Sequence, residues 1–281
     1  MSSGGLRRTY PTRLRRWPPF EASLTPSRSV SICLSAFAVV FTTCGGVFAF
    51  GVYQELYQSM SLQPGTPFTG ASPAVIDLIG TLSAAFMTIF APLATAWTKR
   101  FGPRNVIFLG ATLLFVASML ASYSVHVWQF LLTQGFLMGF ATSFSYLPAV
   151  TVAPTWYTSR RGLAMGIILS GTGVGGLVWA PVIHILNDKF GFRNALRVSG
   201  AVTTALVAAG GFILDWDPQT KKRHEAEIAR LKTRPQSRIR AMWDIPLVDW
   251  RIARSRMFVG QLLSSLVQAM AYFTPVFFFC E

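Results

Sequence analysis

The sequence contains little charge: Asp, Glu, Lys and Arg make up 13% of its 281 residues, and only 11 residues are acidic. A soluble domain usually carries about 25% charged residues. This chain therefore cannot cover a globule of its length with charge, which excludes an ordinary soluble enzyme and a disordered chain. It has only three cysteines, which excludes a disulfide scaffold. Cys33, Cys44 and Cys280 fall in apolar stretches and are expected to be buried, inert thiols.

The polar segments contain no paired carboxylates, no nucleophile beside a base and no cluster with metal-ligand spacing. These are the constellations on which catalysis and metal binding depend. We therefore expect no enzyme activity, no metal and no cofactor.

Long runs without any charged residue are the main feature of the sequence. They cover residues 29–54, 78–98, 105–159, 162–187, 198–214 and 257–280. A helix needs about 20 residues to cross the hydrocarbon core of a membrane, so the run at 105–159 requires two crossings, with a turn near His126. The crossings must be helical because lipid offers no partner to free backbone groups. The sequence thus predicts an all-α polytopic membrane protein.

Seven membrane spans follow from these runs, and they are numbered here in chain order. Spans 1 to 7 are predicted near 30–53, 75–97, 105–123, 127–150, 163–186, 195–214 and 257–280. The resulting topology places 22 of the 25 Lys and Arg residues on the side of the N-terminus, and only Lys189, Arg193 and Arg197 on the other. Because basic residues concentrate in cytoplasmic loops, the N-terminus is predicted to be cytoplasmic. The net charge of +14 is then explained by topology, and no nucleic-acid partner is expected.

The spans divide the chain into four predicted segments. Residues 1–28 form a disordered basic cytoplasmic tail, 29–214 a six-helix transmembrane bundle, 215–256 a cytoplasmic linker and 257–281 a seventh transmembrane helix. Within the linker, 221–232 is predicted to be a charged surface helix and 242–250 an interfacial segment. The chain stops at the far edge of span 7, so we expect a fragment; an intact seven-helix protein is the alternative. The plasma membrane is the expected location, with a mitochondrial or other organelle membrane as the alternative.

Several segments share a family pattern. Residues 156–176 read WYTSRRGLAMGIILSGTGVGG: an aromatic pair, a basic pair, then Leu-Ala-x-Gly and small residues ending in Gly. Further matching segments are 51–57 (GVYQELY), 146–156 (YLPAVTVAPTW) and 191–200 (GFRNALRVSG). The sequence resembles the monocarboxylate transporter-like family of the major facilitator superfamily, in its fungal-type branch, over about 30–214 and the start of span 7.

This resemblance implies two six-helix halves around a central cavity that work by alternating access. That architecture is the one known for the superfamily, and it follows here from the resemblance alone. It implies a secondary active transporter of a small organic solute, monocarboxylate-like, with proton coupling left open. The chain would be the first half plus the seventh helix, apparently truncated. A missing second half or a second copy would complete it. The alternatives are a truncated membrane protein without transport that acts as a binding or assembly partner and, less favoured, a channel.

The superfamily lines its cavity with spans 1 and 4, so polar and aromatic residues there are candidates for the solute pathway. They are Thr43, Phe50, Tyr53 and Gln54 in span 1, and Gln134, Thr142 and Tyr146 in span 4. The alternative is that these side chains form hydrogen bonds between helices. Asp77, at the start of span 2, could carry protons, or could be a solvated acid favoured by the first turn of its helix.

Glycines and arginines supply the remaining candidates. In span 5, Gly162 and Gly166, and likewise Gly171 and Gly175, lie four residues apart, which gives a thin helix face for packing or sliding. By resemblance, the loop after span 2 and the turn before span 5 form a cytoplasmic gate; mere anchoring at the membrane surface is the alternative. The gate candidates are Arg100, Gly102, Arg104, Arg160 and Arg161.

Overall fold

A computed structural model describes residues 26–157, 161–232, 258–260, 262–264 and 267. Several predictions lie wholly or mostly outside these residues: the tail at 1–28, the interfacial segment at 242–250, most of the linker and of span 7, Arg160 and Cys280. The described residues contain helices, turns and bends but no strand. The predicted fold class, an all-α polytopic membrane protein, is confirmed.

Nine α-helices, one π-helical segment and one 3-10 turn make up the described part of the chain up to residue 232. They are α1 (Pro26–Phe48), α2 (Phe50–Ser61), α3 (Pro73–Ile89), α4 (Ala91–Phe101), α5 (Pro103–Tyr123), α6 (Val127–Phe130), the π-helical segment (Leu131–Leu137), α7 (Met138–Val152), the 3-10 turn (Ala153–Trp156), α8 (Arg161–Ile213) and α9 (Pro218–Lys232).

These helices form six crossings. Spans 1, 3 and 4 are the continuous stretches Arg28–Ser61, Pro103–Tyr123 and Val127–Trp156, while α3 and α4 form span 2 with a bend of 46°. Helix α8 has 53 residues and would be about 80 Å long, more than twice the thickness of the hydrocarbon core. Its backbone is non-helical at Gly191 (φ 74°, ψ 158°). Gly191 therefore divides α8 into spans 5 and 6, joined by one residue where a short loop was expected.

The ends of alternate spans meet at one end of the bundle, called here the basic end because Lys99, Arg100 and Arg104 lie there. Arg104 Nε donates to the Leu214 carbonyl at 3.2 Å. The Trp156 indole donates to the Asp215 carbonyl at 2.8 Å. These bonds join the start of α5, the end of the 3-10 turn and the end of α8, as antiparallel packing of successive spans requires.

The opposite end, called here the loop end, is formed by the connection at 62–72 and the break at Gly191. There the Tyr57 ring lies 4.2 Å from Phe68 and 6.5 Å from Phe192, measured between centroids. Arg197 Nε donates to Ser122 Oγ at 2.6 Å and holds span 6 against span 3. The connections between successive spans thus lie alternately at the basic end and at the loop end.

Spans 1 and 5 approach each other through glycine. A Cβ atom on Gly45 would lie 2.6 Å from the Gly175 Cα, and one on Gly171 would lie 3.0 Å from the Phe37 carbonyl oxygen. Lipid supplies no hydrophobic force between helices, so close backbone packing of this kind stabilises their association. Large apolar side chains remain on the outside, among them Leu177 at 79% exposed, as expected where a helix faces lipid.

Candidate solute cavity

A cavity of about 60 Å³ lies inside the bundle, and all six spans contribute to its wall. Its lining residues are Gly46, Val47, Phe50, Tyr53, Gly80, Ser83, Leu114, Ser118, Gln134, Met138, Trp179, Ile183, Leu196, Ser199, Gly200 and Thr203. These positions lie in the half of each span that is nearer the loop end, from Tyr53 at the end of predicted span 1 to Leu196 at the start of predicted span 6. Helices of all six spans therefore surround the cavity.

The polar groups of the cavity are arranged in fixed pairs. Gln134 lies in the π-helical segment, and its Oε1 accepts a hydrogen bond from the Tyr57 hydroxyl at 3.1 Å. The Tyr53 hydroxyl and Ser199 Oγ lie 3.2 Å apart. Since Tyr57 holds the oxygen of Gln134, the amide N–H₂ of Gln134 is the end that is oriented for another acceptor.

Trp179 contributes a hydrogen-bond donor without an acceptor. Its side chain is 6% exposed and lines the cavity, and its indole N–H has no partner among the described residues. A buried donor without an acceptor costs about 1–3 kcal/mol. A solute with an acceptor oxygen would remove that cost on binding.

No residue lining the cavity carries a charge at neutral pH. The wall consists of aromatic and aliphatic side chains with a few hydroxyls, one amide and one indole N–H. Such a wall favours a neutral solute or a neutral form of an acid, because an unpaired ion in a site of low polarity is costly.

An aromatic cluster lies on the loop-end side of the cavity residues Tyr53 and Gln134. Tyr57, Phe68 and Phe130 are all fully buried. Phe68 stacks on Tyr57 at 4.2 Å and lies 4.7 Å from Phe130 between centroids. The connection that carries Phe68 is folded on itself, with the Thr69 hydroxyl donating to the Gln63 carbonyl at 2.8 Å.

Three of the seven predicted pathway residues line the cavity: Phe50, Tyr53 and Gln134. Thr43 and Thr142 are buried, and their hydroxyls donate within their own helices, to Val39 and Met138. The remaining two are Gln54, which is buried, and Tyr146, which is half-buried against the core.

The cavity residues that sequence reasoning missed are Ser83, Ser118, Trp179, Ser199 and Thr203. Spans 2, 3, 5 and 6 were read for packing or topology, so their small hydroxyl residues were not singled out. Trp179 could have been predicted from the sequence, because it places a large ring with a polar N–H inside an apolar span.

The four predicted glycines fall in two environments. Gly171 and Gly175 are buried against α1, at Phe37, Phe41 and Gly45. Gly162 and Gly166 face open space, since a Cβ atom there would meet nothing within 4 Å. Contact with α1 is therefore confined to the second pair.

The gate candidates that the structure describes lie at the basic end. Gly102 joins α4 to α5 with a φ of 85°, a conformation that favours glycine. Arg104 Nη2 lies 3.5 Å from Asp215 Oδ2. Arg100 and Arg161 are exposed. Asp77 lies instead near the loop end, half-buried, and its Oδ1 accepts from Gln58 Nε2 at 3.4 Å.

Replacing Tyr57 by phenylalanine is expected to destabilise the purified protein by about 1–2 kcal/mol, because the buried Gln134 oxygen loses its donor. The measurement is thermal unfolding in detergent. Tyr123→Phe is the matched control, because Tyr123 is 66% exposed. Equal shifts in the two variants would show that the Tyr57–Gln134 bond contributes nothing.

The geometry above is that of a multi-pass membrane protein with a cavity among its helices, and comparison with known proteins agrees. Residues 30–280 match the family model of the Major Facilitator Superfamily. The chain belongs to this superfamily. Its members are transporters that bind small-molecule solutes, so the chain is not an enzyme, as predicted. The resemblance seen in the sequence is confirmed at the level of the superfamily.

Relatives among curated proteins are fungal transporters. The chain is 31% identical to "Agnestins efflux protein AgnL12" of Paecilomyces divaricatus, over 67% of this chain and 42% of the relative. It is 31% identical to "MFS-type transporter pytF" of Aspergillus terreus, over 66% of this chain and 61% of the relative. It is 28% identical to "MFS-type transporter dbaD" of Emericella nidulans, over 87% of this chain and 49% of the relative. The chain thus spans less than two thirds of the length of these relatives.

A solved structure shows the same fold. The crystal structure of the peptide transporter POT in complex with alafosfalin superposes with a TM-score of 0.51 at 16% identity. The match covers 88% of this chain and 51% of that one. At this identity the likeness concerns the fold alone.

Proposed function

We propose that the chain supplies one half of the solute pathway of a secondary active transporter, which moves a small organic solute by alternating access. The observation that carries the proposal is the cavity inside the bundle, to which all six spans contribute. The second half of the pathway would come from a part of the protein outside the described residues. Membership of the superfamily and the partial coverage of longer relatives support that division.

The proposed solute is monocarboxylate-like and crosses together with a proton. The cavity wall has no charged residue to pair with a carboxylate, so an acid would bind here in its protonated, neutral form. Its carbonyl oxygen can accept from the Trp179 indole N–H, and its hydroxyl can bond to the hydroxyls of Tyr53 and Ser199. One relative is named as an efflux protein for agnestins, which supports a solute pathway in this chain.

The proposed orientation places the basic end in the cytoplasm, in the plasma membrane. The basic end carries Lys99, Arg100, Arg104 and Arg161, while Lys189, Arg193 and Arg197 stand near the loop end. Cytoplasmic loops carry the excess of Lys and Arg. Phe68 and its aromatic partners would then close the cavity toward the outside.

Uptake by proteoliposomes tests the proposal. The full-length protein that contains this chain is reconstituted, and accumulation of labelled monocarboxylates is measured with and without an imposed proton gradient. Accumulation above protein-free vesicles, increased by the gradient, is expected. Absence of accumulation for every monocarboxylate and related neutral solute would remove the transport proposal.

Trp179→Phe tests the cavity within the same assay. The variant keeps an aromatic ring but loses the N–H donor, so KM is expected to rise about fivefold, which corresponds to the loss of one hydrogen bond of about 1 kcal/mol. Maximal velocity should change little. Trp97→Phe is the control, because Trp97 packs on Phe101 and Phe144 away from the cavity. An unchanged KM for Trp179→Phe would exclude this indole from solute binding.

A further inference from the structure

A second cavity, of about 340 Å³, lies at the basic end of the bundle, apart from the solute cavity. It is lined by residues of α4 and α5, by the segment after α8 and by α9. Four of its lining residues are basic, Lys99, Arg100, Arg104 and Lys221, against two acids, Asp215 and Glu225. The cavity therefore carries a net positive charge before any histidine is counted.

The acids do not neutralise the lysines. Asp215 is paired with Arg104 at 3.5 Å between Oδ2 and Nη2. Lys99 and Lys221 are exposed, and their ammonium groups have no carboxylate partner among the described residues. Two cations from α4 and α9 thus remain available on the wall of one cavity.

Two neutral features add donors to the same cavity. Trp216 lines it, is 8% exposed, and its indole N–H has no partner among the described residues. Helix α5 begins at Pro103, and Pro103, Arg104 and Asn105 line the cavity. The first amides of a long helix carry a partial positive charge and bind phosphate well. A phosphate group would find three kinds of partner in this cavity: the two lysine ammonium groups, the Trp216 indole N–H and the first turn of α5.

The surroundings indicate where that phosphate comes from. Phe101, on the wall of the cavity, is 47% exposed, and Phe212, over which the Arg104 guanidinium lies at 6.0 Å, is 68% exposed. The exposed apolar surface of the bundle ends at these rings, and the basic residues beside them begin the polar level of the membrane interface. A cavity at that level can be reached by the headgroup of a lipid, whose chains would pass along the apolar outside of the bundle.

We propose that this basic cavity binds the phosphate of an anionic phospholipid headgroup from the adjacent leaflet. Lys99 and Lys221 pair with the phosphate oxygens, while Arg104 stays with Asp215 and keeps the start of α5 in place. The leaflet is the cytoplasmic one if the orientation proposed above holds. The binding itself requires neither that orientation nor transport.

Native mass spectrometry of the full chain in neutral detergent tests the site. The protein is mixed with phosphatidylcholine or with a phosphatidylinositol phosphate, and retained lipid is counted. Preferential retention of the phosphatidylinositol phosphate is expected. The double variant Lys99→Gln/Lys221→Gln should weaken it by at least tenfold, because each basic side chain near a membrane surface contributes about fivefold to the binding of an anionic lipid.

The matched control is Lys189→Gln/Lys222→Gln, which removes the same charge at two exposed lysines that do not line the cavity. The control should bind as the unmodified chain does, and both variants should unfold at its temperature. Equal losses in the two double variants, or equal retention of both lipids, would overturn the proposal. Displacement of the lipid by inorganic phosphate at equal concentration would also overturn it, because the site would then be one for free phosphate. Since no transport is measured, failure here leaves the uptake proposal untouched.

Discussion

Replacing Gly175 by leucine is expected to abolish the folded bundle. A side chain on Gly175 would collide with the Phe41 carbonyl oxygen and with Gly45 Cα, so it meets backbone that cannot rotate away. Overpacking a core costs about 1–3 kcal/mol even where side chains can adjust. Here α1 and α8 would have to separate along their contact. We expect no monodisperse peak in detergent by size-exclusion chromatography.

Two companion variants show whether the close approach is the cause. Gly175→Ala should fold but unfold at a lower temperature, with a loss of about 2–3 kcal/mol. Gly173→Leu adds the same side chain two residues earlier on the same helix, at an exposed position where a Cβ atom meets nothing within 4 Å. Normal folding of Gly175→Leu, or equal damage from Gly173→Leu, would contradict the packing of α1 on α8.

Replacing Phe68 by alanine is expected to cost about 3–4 kcal/mol of stability. The ring is fully buried between Tyr57 and Phe130, and truncating a buried phenylalanine typically costs about 3–5 kcal/mol. The measurement is thermal unfolding of the purified protein in detergent. The same variant should open the cavity toward the loop end, so that a cysteine introduced at Ser199 reacts faster with a water-soluble maleimide.

The control for this variant comes from the same connection. Leu62 is 87% exposed, so Leu62→Ala removes a side chain of similar chemistry without leaving a hole. It should change neither the unfolding temperature nor the labelling rate at position 199. If Phe68→Ala behaves as Leu62→Ala does, Phe68 does not close the cavity.

The sequence was sufficient for the number and approximate limits of the described spans. The turn near His126 was readable because Ser122, Tyr123 and Ser124 interrupt an apolar run, and α5 does end at Tyr123. The spans predicted at 163–186 and 195–214 leave residues 187–194 between them, and the structure extends the helices through these residues up to Gly191 from both sides. Charged residues can remain helical at a membrane surface, and the backbone leaves the helical region only at Gly191.

The cavity was only partly predictable, for a physical reason. Spans that are apolar on every side carry no periodic signal of which face points inward. Trp179 and Ser199 therefore could not be assigned to the cavity without their neighbours. Phe68 stands between glycine, proline and threonine residues that indicate a turn. Its burial depends on Tyr57 and Phe130, and the second lies far along the chain.

The π-helical segment Leu131–Leu137 places Gln134 beside the cavity through a wide turn. A π turn holds one residue more than the α turn it replaces. Removing that extra residue would rotate the part of span 4 on one side of the turn by about 100° around the helix axis, relative to the other part. Gln134 lies inside this wide turn and Met138 directly follows it, and both line the cavity. The position of the Gln134 amide in the cavity wall thus depends on the number of residues in this turn, so a single-residue deletion here would reorient the wall without replacing any lining side chain.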